Sequence, residues 1–139
     1  MIEKYEEKAN NLILTNLKER EKLIGYFCSQ EAKSLIKTII EADEFSLVKM
    51  KYFLIAITYM GIHIHGVNNF HAYKLKGSYF FTWDNLSNID LKEPKLGFSK
   101  LSLEYSDNKL RFSVFSLKER KKIKSIDDET RAYLENKMD

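Results

Sequence analysis

Apolar residues recur every three or four positions at the start of the chain: Ile2, Tyr5, Ala9, Leu12, Ile13 and Leu17. Glu3, Lys4, Glu7 and Lys8 lie on the other side. That period predicts an amphipathic helix. The polar run Lys18 to Lys22 either continues it or ends it before Gly25. Ser29 then suits an N-cap, and Ala32, Leu35, Ile36, Ile39 and Ile40 form the stripe of a second helix. Charge at Glu41, Asp43 and Glu44 stops it.

From Phe45 the period changes to two. Val48, Met50, Tyr52, Leu54 and Ala56 share one face of a strand, while Lys49 and Lys51 begin the other and Phe53, Ile55 and Ile57 continue it. The second half of this strand is apolar on both faces, so it is central or covered by a helix. Tyr59-Met60-Gly61 turns the chain into the alternating Ile62-His63-Ile64-His65. Gly66 to Asn69 is a turn, because Gly and Asn tolerate positive φ. Phe70–Leu75 and Tyr79–Trp83 read as strands around a Lys76-Gly77-Ser78 turn, and a short helical turn at Asp84–Ser87 leads to Ile89–Leu91. Lys92–Lys95 is an exposed loop. In the last hairpin Leu101, Leu103 and Tyr105 face the same core as Leu110, Phe112 and Val114, with Ser106-Asp107-Asn108 turning between them. Ser125 with Asp128 resembles a capping box, opening a helix with Ile126, Tyr133, Leu134 and Met138 on its apolar side.

The fold class expected from this order is α+β. Two N-terminal helices precede a bent antiparallel sheet or partly open barrel of about seven strands, which a C-terminal helix closes. Residues 1–44 would be a helical extension and residues 45–139 the β-domain, together one unit.

Composition narrows the function classes. At 139 residues, with 44% hydrophobic and 31% charged types, the chain suits one folded domain. One cysteine, Cys28, excludes an internal disulfide and a multi-cysteine zinc site, and reads as a buried structural thiol. Tyr52 to Ile64 is too short and too interrupted to be a transmembrane segment, and five charges within Met1–Lys8 argue against a secretory signal. The expected location is cytoplasmic. No phosphate-cradling glycine loop, nucleophile elbow or paired-carboxylate pattern is present, so the balance leans away from an enzyme, and no cofactor is expected.

Three segments carry a family resemblance. Phe53-Leu-Ile-Ala-Ile-Thr58 with Gly61-Ile-His-Ile-His-Gly66, then Phe81 to Asp90, then the final hairpin and helix from Leu101 to Met138, resemble the bacterial pleckstrin-homology-like domain over roughly residues 45–138. The family's usual basic residue after the first turn is replaced here by Met60-Gly61. The resemblance implies a strongly bent seven-stranded sheet and an interaction module rather than an enzyme.

Two clusters carry candidate chemistry. His63, His65 and His71 lie within nine residues, and alternation puts His63 and His65 on one side of a strand, a spacing that can hold zinc or another borderline metal. The alternative is ordinary polar strand residues, and no metal is assigned. Basic residues concentrate at Lys109, Arg111, Lys118, Arg120, Lys121, Lys122 and Lys124, against one acid, Glu119. These are candidates for anion binding, although such a run is more often a solvated face. The leading functional expectation is a non-enzymatic module that binds a protein partner or self-associates, as a homodimer, through the helix of residues 2–17. The alternative is electrostatic binding to nucleic acid or an anionic membrane surface through residues 109–124, with nucleic-acid binding weak at most. A metal-dependent activity at the histidines ranks third.

Overall fold

The computed structural model describes residues 2–31, 51–116 and 123–138. The three–four spacing forms α1 (Ile2–Thr15), followed by β1 (Leu23–Glu31), β2 (Tyr52–Thr58), β3 (Gly61–Val67) and β4 (Leu75–Thr82). A single 3-10 turn, Trp83–Asn85, leads into β5 (Leu86–Leu91), β6 (Phe98–Tyr105) and β7 (Asn108–Phe115), and α2 (Asp128–Asn136) ends the chain's regular structure.

The expected α+β order with two N-terminal helices is corrected. The described residues form a mostly-sheet fold, one seven-stranded antiparallel sheet in the order β4-β3-β2-β1-β7-β6-β5, with one helix near each end. Ser29 is not an N-cap but a fully buried position in β1, and residues 32–50, with the expected second stripe, lie outside the described residues. Phe27 faces one core and Cys28 the other, so β1 is apolar on both sides and lacks the polar alternation that marks a half-buried strand.

A second correction concerns β4. Lys76-Gly77-Ser78 is not a turn: Gly77 pairs with Gly66 and Ser78 with His65. The turn occupies residues 68–74, where Asn69 Oδ1 accepts from the amides of His71 and Ala72, at 2.9 and 2.8 Å. Asn68 Oδ1 accepts from the amide of Lys74 at 3.0 Å. These side-chain caps hold an Asn-led loop where an extended strand had been expected.

The sheet's two halves meet in a narrow seam. β1 pairs with β7 only through Ser29, Gln30 and Glu31. Below it the chain from residue 124 to 126 fills the gap: the Cys28 amide donates to Lys124 O at 2.8 Å, and the Ile126 amide to Phe115 O at 2.9 Å. The inner core lies between the halves and α2. It gathers Phe27, Phe53, Ile55, Ile57, Ile62 and Ile64 with Leu101, Leu103, Leu110, Phe112, Val114 and Leu134.

Asp127, rather than Ser125, caps α2, its carboxylate accepting from the Thr130 amide at 2.8 Å. α2 sits hard against β1, since a Cβ on Gly25 would lie 1.8 Å from Thr130 Oγ1. A second core, on the outer side of the sheet, holds Ala9 and Ile13 of α1 against Cys28, Leu54, Ala56 and Phe115. Ala9 and Ile13 of the α1 stripe are thus covered by the chain's own sheet, and Leu12 and Leu17 pack partly buried against the same cluster.

Candidate functional site

Beneath α1, the outer positions of β2 and β3 carry polar groups in an otherwise apolar layer. Thr58 ends β2, and His63 and His65 occupy outer positions of β3, all three buried. The loop after α1 turns at Arg20, whose φ of 68° is left-handed, and sends Glu21 back into this layer. The Glu21 carboxylate accepts three hydrogen bonds. Lys18 N–H donates to Oε1 at 2.8 Å, while the Thr58 hydroxyl at 2.5 Å and His63 Nε2 at 2.7 Å meet Oε2. The Thr58 oxygen also accepts from the amides of Met60 and Gly61, fixing the β2–β3 turn.

Burial works to raise the Glu21 carboxyl pKa, but the bonds from Thr58, Lys18 and His63 outweigh it and hold the pKa below its ordinary 4.5. His63 stacks on Phe80 at 4.3 Å, and Lys18 Nζ lies 4.4 Å from the centroid of the same Phe80 ring. His65 bonds Ser78 Oγ through Nδ1 at 2.6 Å. Burial, aided by His63, pushes its pKa down to about 4, so it is neutral at pH 7. Cys28 lies in the same layer. Burial pushes its thiol up to about 11, which leaves little thiolate for nucleophilic chemistry at neutral pH.

His63 and His65 do share a side, with ring centroids 5.7 Å apart, but His71 is exposed in the 68–74 loop and does not join them. Among the described residues no three His, Cys, Asp or Glu side chains are placed to hold a metal ion. The group that His63 meets is Glu21, a residue inside the polar Lys18–Lys22 run. No sequence signal links positions 21 and 63, because the contact is made by the fold of the loop over the sheet.

The outer face of β5–β7 is different. Lys100, Ser102 and Glu104 of β6 stand beside Ser113, Arg111 and Lys109 of β7 in direct register. Two shallow hollows follow this face, one between Asn88, Ser102 and Arg111, the other between Lys95, Lys100 and Ser113. Glu104 accepts from Asn88 Nδ2 and lies 3.8 Å from Lys109 Nζ, while Lys100 and Arg111 pair with no carboxylate among the described residues. Lys109 and Arg111 are thus brought together. Lys124 is engaged elsewhere, 3.9 Å from Asp127 and over the Tyr26 ring. Lys118, Arg120, Lys121 and Lys122 lie outside the described residues.

Among the described residues no helix is long and apolar enough to cross a membrane. No protein-family model matches the chain, and no curated protein matches it. Among solved structures it is similar to the hSac2 domain of the human phosphoinositide phosphatase Sac2. The TM-score is 0.51 at 14% identity, over 95% of this chain and 78% of that one. At that identity the likeness is one of fold, and a fold hosts many functions.

Proposed function

We propose that the protein is a non-enzymatic interaction module, cytoplasmic, that binds an acidic segment of a protein partner through the outer face of β5–β7. The observation that carries this reading is the unequal covering of the sheet: α1 packs over the outer side near β1–β3, whereas Lys100, Lys109 and Arg111 line a hollowed outer face. Lys95, Lys100, Lys109 and Arg111 stand against Glu93 and Glu104 on that face, with Glu104 already engaged by Lys109 and Asn88 and the neighbouring Asp90 by Lys92, so a surplus of positive charge remains. Such a surface favours an anionic partner and speeds its encounter. On the other half, Glu21 and His63 are buried and bonded to each other, which suits a structural role.

The second reading, binding to nucleic acid or an anionic membrane surface, draws on Lys109 and Arg111 in the same place. One titration separates them, using a labelled oligo-glutamate peptide, labelled oligonucleotides and phosphatidylserine vesicles at two salt concentrations. The proposal expects peptide binding that weakens with salt and is lost in Lys100→Glu/Arg111→Glu, with weaker oligonucleotide and vesicle binding. Equal peptide binding by the charge-reversed variant would overturn it, and preferential binding of oligonucleotide or vesicle would establish the second reading instead.

A further inference from the structure

Three segments distant in sequence meet at the end of the molecule where β2 turns into β3. Trp83 opens the 3-10 turn, and its indole Nε1–H donates to Thr58 O at 3.1 Å, which fixes the ring's orientation. Tyr133 of α2 faces it, with centroids 5.9 Å apart and planes 53° apart. Tyr59 packs edge-on against Tyr133 at 5.6 Å and 83°. Lys137 follows Tyr133 by one helical turn, and its ammonium lies 5.1 Å from the Trp83 centroid and 5.4 Å from that of Tyr133. An i,i+4 Tyr–Lys contact alone would be ordinary helix-surface packing. Here a second ring, brought from another part of the chain and held by its own hydrogen bond, flanks the same cation.

We propose that Trp83 and Tyr133 form a two-walled aromatic site for a methylated ammonium group, which Lys137 occupies in the free protein. The negative faces of the rings attract a cation within about 6 Å, and Trp is the strongest such surface. A primary ammonium is compact and strongly hydrated, so it gives up water reluctantly to sit between two rings. A trimethylammonium group is more weakly hydrated and adds apolar methyl contact with the same faces. Its handicap is that Lys137 is tethered beside the site and competes at high effective concentration. Tyr59, 63% exposed, and Met60, 40% exposed, leave apolar surface at the neighbouring turn. None of these residues belongs to the β5–β7 outer face, so the proposal stands apart from the function proposed above.

Trp83 is the chain's one tryptophan, so its fluorescence reports the site without a label. Tetramethylammonium chloride, choline chloride and a trimethyllysine peptide are titrated into the full-length protein, with sodium chloride at matched ionic strength as reference. The expected result is a saturable change with the methylated cations and none with sodium. Lys137→Gln should tighten binding by about two- to fivefold, the scale of one exposed cation–π contact. Tyr133→Leu should abolish saturation; if that variant does not fold, the Lys137→Gln comparison decides alone. Choline saturating at least as readily as the peptide assigns the site to free headgroup-like cations, and tighter peptide binding assigns it to a methylated lysine side chain. The same response to sodium chloride, or no tightening in Lys137→Gln, overturns the proposal.

Discussion

The β1–β4 half and the β5–β7 half obey the same alternation on the inside and diverge on the outside. Inner positions of both, such as Ile55 and Ile62 in one and Leu103 and Phe112 in the other, enter one core. Outer positions at residues 100–104 of β6 and 109–113 of β7 are Lys, Ser, Glu and Arg in partial or full contact with water, whereas β3 is buried at every position. The difference comes from α1. Where the helix lies over the sheet, a polar side chain has lost water and needs an internal partner, as Glu21, Thr58 and His63 supply to one another. Where nothing among the described residues covers the sheet, charges remain solvated and available to a partner. A covered face is thus stabilising but chemically closed, and the open face is the one to which the proposed binding is assigned.

The contrast breaks most visibly at α1. Ile13 is fully buried, and Ile13→Ala is expected to cost about 2–5 kcal/mol through lost burial and the cavity left behind. Chemical denaturation measures it; a midpoint equal to the parent's would mean that α1 contributes no cover.

The next effect is one of pH. The unfolded chain protonates His65 near pH 6.5, but the folded protein does not do so until about pH 4. The unfolded state therefore binds more protons in that interval, and stability falls by about 3 kcal/mol as pH drops through it. Glu21 works in a lower window, because its folded-state pKa lies below 4.5. Its contribution is present above that pH and is lost as pH falls through the folded value. Stability measured from pH 7 to pH 3 should lose the upper part of this slope in His65→Asn and the lower part in Glu21→Gln. Unaltered slopes in both would refute the sealed-layer description.

On the open half the expectation is nearly flat. Lys109→Ala removes an exposed partner of Glu104 at 3.8 Å and should change stability by at most about 1 kcal/mol. A larger loss would show that this face is structural rather than free for binding.

The amino-acid pattern alone determined the periodic parts: α1, the β6–β7 hairpin (its turn is Ser106-Asp107, one residue shorter than expected, with Asn108 already in β7), the inward set from Leu101 to Val114, and the shared side of His63 and His65. These follow from local period, which a single segment carries without its neighbours. The tertiary structure decided what depends on cover and on distant approach. It made residues 23–31 a strand in the middle of the sheet, because two-sided burial erases the alternation that marks a half-exposed strand. It replaced the expected Phe70–Leu75 strand and its turn at residues 76–78 by one loop over residues 68–74, where the side chains of Asn68 and Asn69 bond the loop backbone. It joined Glu21 to His63 across 42 positions, left His71 outside, and placed Lys109 and Arg111 on a face that Lys124 does not share. Each of these is fixed by which element covers which face, and that is a property of the packed chain rather than of any stretch of it.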